Sequence, residues 1–345
     1  MLIKKTKIPF ASMLTIGILP SFIKKIVYRF KGYKIGKNVK IGFGSIITGK
    51  SISIKDNVSV GIGTVIRSEI IIIKSHVSIG SFTMIDTGKL IISEDARINE
   101  KVIIGGMKTH DSSLTLGKRT IVMEYSFINT TMPVEIGDDT GIGGHCLLFT
   151  HGSWLNQLDG YPVSFSSIKI GKNVWLPWRV FIMPGTVIGD NVVVGANSLV
   201  SNKIKSNTLI AGSPAKIIKD QYPKLISRED RKKIINDIFI DFEKYLKYNG
   251  FQINIYSGEI LKYEIIKDNK KYLIYYLNKQ KSKASYDKYS LVIYDYKQKK
   301  KIYKTNDNVM KVDLINKTRV GSTKVGEEFV KFISRYGIRF NREDY

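Results

Sequence analysis

The residues best suited to chemistry in this chain gather in one run, GGHCLLFTHGSWLNQLDGYPVSFSSIKIG, which holds His145, His151 and the single cysteine, Cys146. A histidine's ordinary pKa of about 6.5 leaves its imidazole mostly neutral at pH 7, able to take a proton from a hydroxyl as that hydroxyl attacks a carbonyl. His151 sits where the run leaves regular sequence, and Trp154, Asp159 and Tyr161 follow it. An aromatic face covers the C–H groups of a sugar ring and a carboxylate accepts its hydroxyls, so these three are candidate acceptor-binding residues. The two aromatics could equally pin the loop to its support. His76 and His110 read as surface residues of the scaffold.

That scaffold is a repeat. Ile170, Leu176, Ile182, Ile188, Val194 and Val200 fall six apart without a break. A helix repeats its apolar face every 3.6 residues and a strand every two, so a sustained six means a chain that turns a corner every six residues and stacks its coils. Ile35 and Ile41 begin the period and Ile54, Val60, Ile66 and Ile72 continue it. Ile73, Ile79, Ile85 and Ile91 resume it one residue out of phase, and Ile136 and Ile142 rejoin it before Leu148. Three six-residue sides predict a triangular coil of about 18 residues, stacked at roughly 4.8 Å so that each strand pairs with those above and below. Glycines that follow the aliphatics, Gly143 and Gly171 among them, are expected where bends need conformations closed to other residues. Between Leu148 and Ile170 the period fails, and the intervening stretch is expected to project as a loop.

Residues 35–218 resemble the hexapeptide-repeat acyltransferases, and the run IKIGKNVWLPWRVFIMPGTVIGDNVVVGANSLV followed by LIAGSPAKII is similar to the ending of that family's sugar O-acetyltransferases. The resemblance implies a mainly β protein, a left-handed parallel β-helix working as a homotrimer, with acetyl-CoA as acyl donor and no metal. It implies that His151 is the general base, oriented by a nearby carboxylate or amide side chain, for which Glu124 and Asp159 are the candidates, with His145 as a structural or supporting residue. The asparagine that some relatives carry roughly 30 residues upstream has no clear equivalent in this sequence. For CoA the resemblance implies Trp175, Arg179, Gly195, Ala196 and Ser201 along the pantetheine arm. Lys203 and Lys216 would meet the phosphates, where a point charge suffices. NVWLPWRV departs from the commoner NVWIG, which bears on the shape of the acyl pocket. The activity so implied is O-acetylation of a sugar hydroxyl on a bacterial surface polysaccharide, in a capsule or lipopolysaccharide, or on its precursor.

Other readings share these residues. N-acetylation of an amino-nucleotide sugar needs a similar deprotonation. The chain also resembles the carbonic anhydrases built on this repeat, in which case His110, His145 and His151 would converge within about 2.1 Å of one ion; the long loop after His151 is superfluous for so small a substrate. A non-catalytic glycan-binding solenoid is the last alternative, and it would leave acetyl-CoA intact.

Composition sets the surroundings. The length suggests two domains, and 43% hydrophobic residues suffice for packed cores. One cysteine excludes an internal disulfide and fits a reducing compartment, so the cytoplasm is the expected location. The net charge of +25 is uneven: +10 over residues 1–40, which hold no acid, +3 over 41–220 and +12 over 221–345. The charge therefore belongs to the ends, and no nucleic-acid-binding motif accompanies it. Three parts are expected: a basic arm (1–34), the β-helix domain (35–220) and a small α+β domain of unassigned role (221–345). In the arm, the apolar run from Ile8 to Ile23 is broken by Pro9 and Pro20 and falls short of the roughly 20 residues that span a bilayer. Phe22, Ile23, Ile26, Val27 and Phe30 share one helical face, while Lys24, Lys25, Arg29 and Lys31 lie largely elsewhere. This amphipathic helix has two readings, a cap over the open end of the solenoid or a peripheral contact with the inner face of the membrane. Residues 224–248 predict a charged helix ended by Asn249-Gly250, followed by β-branched and aromatic runs and a last amphipathic helix near 324–336.

Overall fold

The computed structural model describes residues 10–152, 155–256, 261–267, 270–279, 286, 290–297 and 309–343, which fall in two compact units, Met1–Lys224 and Leu225–Tyr345. In the first unit the six-residue spacing becomes three sheets around one core. The first runs from Lys34–Ile35 to Lys203–Ile204, the second from Lys40–Ile41 to Ala215–Asp220 and the third from Ile46–Thr48 to Leu199–Val200. Strands pair in parallel from coil to coil, and the second sheet closes with an antiparallel hairpin of Thr208–Gly212 and Ala215–Asp220. The unbroken series from Ile170 to Val200 points inward, each member no more than 2% exposed. Each such side chain contributes about 1.5–3 kcal/mol by leaving water.

The coils are not a uniform 18 residues. Ile35, Ile54, Ile73 and Ile92 stack in register, so the early coils hold one residue more, placed at the corner from the third sheet to the first. That residue is the phase slip in the sequence: Ile71 and Ile73 are buried where Ile72 is not, and Leu90 and Ile92 are buried where Ile91 is not. The glycines also act differently from expectation. A Cβ on Gly143 would lie 2.6 Å from the carbonyl carbon of Pro177, and one on Gly171 would lie 2.7 Å from that of Gly189. They are needed because neighbouring coils approach closely, and the left-handed turns fall on Asn173, Asn191 and Asn207 instead. Asparagine tolerates that conformation, and the amides link successive coils, Asn173 Nδ2 to Asn191 Oδ1 at 3.2 Å and Asn191 Nδ2 to Asn207 Oδ1 at 2.9 Å.

Cys146 is fully buried within the stack, its thiol against the Pro177 carbonyl oxygen at 2.9 Å. Burial pushes its pKa up to about 11, which withholds the thiolate that reacts with thiol reagents. The native protein at pH 8 is therefore expected to leave an aromatic disulfide reagent uncoloured, and to release one equivalent of chromophore on denaturation; prompt native reaction would contradict this burial.

Ahead of the first coil come α1 (Phe10–Thr15) and α2 (Ser21–Phe30). The open end of a solenoid presents unpaired backbone groups, and α2 covers them. Lys24 Nζ donates to the carbonyls of Gly42 (2.6 Å) and Ser45 (3.1 Å), Tyr28 Oη accepts from Ile47 N and Ser21 Oγ accepts from Ile41 N. The helix thus turns a lysine inward, because the end of the stack offers acceptors and not an apolar surface. Burial lowers the Lys24 pKa from its ordinary 10.5. Lys24→Met leaves two carbonyls without their donor, and denaturant titration should show a loss of about 1–3 kcal/mol at neutral pH. As pH rises from the lowered folded value to 10.5, only the unfolded chain still holds the extra proton, so wild type should gain stability over the variant there. No difference between the two proteins would show that α2 does not secure the end.

The described residues of the second unit form a mixed seven-stranded sheet ordered as in sequence from Gln252–Tyr256 to Asn341–Arg342. Two helices, α3 (Arg228–Tyr248) and α4 (Lys324–Ile333), bury Phe239, Phe242, Phe329 and Phe332 against one face of it. The α3 helix begins at Arg228 and not at residue 224, because Ser227 caps it by accepting from Asp230 N.

Candidate active site

His151 follows Thr150 at the edge where the third sheet gives way to the first. Its strand, His151–Gly152, pairs antiparallel with Ser164–Phe165, and the two form the base of a loop whose far side is a 3₁₀ turn, Gln157–Asp159. The half-buried imidazole stacks on Phe165, ring centres 5.7 Å apart and planes 10° from parallel. Its Nδ1 lies 3.3 Å from Oδ1 of Asn129, at the end of strand Phe127–Asn129.

Asn129 is 4% exposed, and its Oδ1 also accepts from Thr131 N at 3.1 Å and from Thr150 Oγ1 at 2.9 Å. A backbone N–H can only donate, which identifies the amide atom as oxygen. His151 Nδ1 must then carry the proton in this bond. The lone pair is left on Nε2, the tautomer that a proton acceptor requires.

The same edge carries further polar groups. Gly106 leaves the pair uncovered: a Cβ there would stand 3.0 Å from Asn129 Oδ1 and 2.6 Å from Thr131 Oγ1. Residues beyond Gly106 are tied down by Met107 N to Thr131 Oγ1 and by Thr109 Oγ1 to the Thr131 carbonyl. Asp86, in register with Gly105 and through it with Asn129, pairs with Arg67 and Lys108. Burial pushes the Asp86 carboxyl up, but hydrogen bonds from Arg67 and Lys108 outweigh it and hold the pKa below the ordinary range.

The other residues singled out in the sequence are dispersed. Glu124 accepts from Asn99 Nδ2 at 2.9 Å, the main cause of its lowered pKa. Asp159 accepts from Asn156 Nδ2 within the loop. His145 stands on the neighbouring edge, between the second and third sheets, stacked on Tyr125 at 5.0 Å and tilted against Trp178 at 5.6 Å. The partner of His151 is thus Asn129 and none of these three. Tyr161 is exposed in the loop, and Trp154 lies outside the described residues. His110 pairs with Asp111 at 3.0 Å, and among the described residues no three His, Cys, Asp or Glu are grouped to hold a metal ion.

The CoA candidates fall on two edges. Trp175 and the exposed Arg179, Ala196 and Lys216 cluster with Gly195 at the end of the second sheet, where Trp175 pairs with Val193 and Lys216 with Ala211. Ser201 and Lys203 follow Leu199–Val200 on the His151 edge. Asn129 escaped the sequence reading because coil lengths vary. The register of Phe127 with Leu147 shows the usable signal: one coil back from Phe149, two residues before His151, is Asn129.

Residues 167–202 match the family model described as bacterial transferase hexapeptide (six repeats), and residues 33–68 match the hexapeptide repeat of succinyl-transferase. WbbJ of Escherichia coli (strain K12), whose name assigns it to lipopolysaccharide biosynthesis as an O-acetyl transferase, is 41% identical over 109 residues, 28% of this chain and 56% of WbbJ. WcaF of the same strain, assigned by name to colanic acid biosynthesis as an acetyltransferase, is 33% identical over 128 residues, 36% of this chain and 70% of WcaF. The chain belongs to the hexapeptide-repeat acetyltransferases. Its first unit is a parallel β-helix of stacked coils. This hexapeptide-repeat chain spans about half the length of the curated relatives it matches first, 56% of WbbJ and 40% of a probable acetyltransferase of Mycobacterium tuberculosis. A crystal structure of the polySia-specific acetyltransferase NeuO aligns with 57% of this chain and 85% of its own at 20% identity and a TM-score of 0.36.

Proposed function

We propose that the protein is an acetyl-CoA-dependent O-acetyltransferase acting on a sugar hydroxyl of a bacterial surface polysaccharide or its precursor, with His151 as general base. The names of WbbJ and WcaF support the glycan class. The observation that carries the chemistry is the His151–Asn129 pair at the mouth of the loop. Nε2 of His151 takes the proton of the acceptor hydroxyl as its oxygen attacks the thioester carbonyl carbon. The tetrahedral intermediate then expels the CoA thiolate, and the imidazolium returns the proton to sulfur. Phe165 holds the ring plane and Asn129 holds the tautomer. Asp159 and Tyr161 would face the acceptor, and the CoA candidates on two edges would meet across subunits of a homotrimer in the cytoplasm, at the inner face of the membrane.

Acetyl-CoA and candidate surface oligosaccharides, with the free thiol titrated and the glycan weighed by mass spectrometry, give the test. Thiol release matched by an acetyl group on oxygen is the expected result. Acetylation of an amino group would move the assignment to the nucleotide-sugar N-acetyltransferases, and an intact thioester with every acceptor would abolish it.

A further inference from the structure

We propose that α1 and α2 form a docking surface for an anionic lipid bilayer, with the same helix that caps the solenoid presenting its opposite face to lipid. This refines the inner-face location proposed above and is independent of the chemistry at His151. Phe10, Leu14, Ile18, Phe22, Ile26 and Phe30 follow one another four residues apart, and all are exposed, from 47% at Ile26 to 88% at Phe30. Phe10 and Leu14 lie on α1, Ile18 in the turn after it, and Phe22, Ile26 and Phe30 along one face of α2; so many large apolar side chains left in water on one short segment mark a surface that something covers.

The stripe is not a face waiting to turn into the core. Lys24 and Tyr28 lie on the opposite side of α2, both at most 1% exposed and both hydrogen-bonded to the first coil. That anchoring fixes the rotation of the helix and holds Phe22, Ile26 and Phe30 outward. Lys25 and Arg29 border the stripe, Lys31 follows it, and the first 40 residues hold ten basic residues and no acid. A second copy of the chain would set one such cationic face against another. An anionic headgroup layer over acyl chains instead matches both features, apolar contact within the stripe and charge along its border. Among the described residues no helix is long and apolar enough to cross a membrane, so this contact lies along the surface.

Flotation of the full chain with vesicles of phosphatidylglycerol and phosphatidylcholine, against vesicles of phosphatidylcholine alone, tests the surface. Wild type should partition to the anionic vesicles about tenfold more strongly, and salt should weaken the binding. Phe22→Ser combined with Ile26→Ser and Phe30→Ser should lower that partitioning by about tenfold or more. It should keep the melting temperature and the rate of acetyl transfer to a soluble acceptor, which reads the function at His151 separately. Equal or absent binding of wild type to the two vesicle types would overturn the proposal. So would undiminished binding of the triple variant, or loss of a wild-type oligomer in that variant without lipid, which would assign the stripe to another copy of the chain.

Discussion

His151→Ala is expected to lose about 10²–10⁴ of turnover, the usual worth of a general base, while the protein stays folded. The loss is chemical because the other polar groups described near the loop mouth are poorly placed to take the proton. Asn129 is an amide, Thr150 and Thr131 are hydroxyls, Asp159 is held within its own loop by Asn156, and Asp86 is paired with Arg67 and Lys108. The fold survives because His151 lies outside the buried series that fills the prism; among the described residues its side chain makes one hydrogen bond and one ring contact. Binding of acetyl-CoA should be little changed, so kcat should fall with KM for the donor near its original value. Turnover at the wild-type level would remove His151 from the mechanism.

The β-helix was legible because its cause is local and repeated: at least one aliphatic side chain per prism side must point inward, and the series from Ile170 to Val200 does so without exception. Where the coils grow, the code loses its phase. The one extra residue in the step from Ile66 to Ile73 moved the inward position past Ile72, and no count by sixes could have placed it. Asn129 was hidden for the same reason. It meets His151 across one coil boundary, and that boundary lies among coils of unequal length, so spacing alone had no fixed step to apply. Glu124 attracted attention as a carboxylate near the histidines, yet coil geometry delivers it to Asn99 and to the edge of His145. The arm shows a different limit. Amphipathic spacing in α2 revealed two faces but not which was inward; the unpaired carbonyls at the end of the stack decided in favour of Lys24. That choice follows from hydrogen-bond satisfaction between distant segments, a term that helical periodicity does not contain.

Asn129→Ala should fold and lose between about tenfold and a thousandfold of turnover, because the imidazole would no longer be held with its proton on Nδ1. The side chain is buried, and its Oδ1 serves three donors, so some loss of stability accompanies the change, about 1–3 kcal/mol for donors left without an acceptor. Stability alone would not distinguish a positioning residue from a structural one. Asn129→Asp makes that distinction. A carboxylate accepts from the same three donors, so the tautomer and much of the activity should return. Its negative charge also favours the imidazolium, and the acid limb of the pH–rate profile should therefore move to higher pH than in wild type. A merely structural asparagine would give neither rescue nor shift. If Asn129→Ala keeps full kcat, or if the folded aspartate variant shows an unmoved profile, the amide does not set the state of His151, and the base must be held by some other contact.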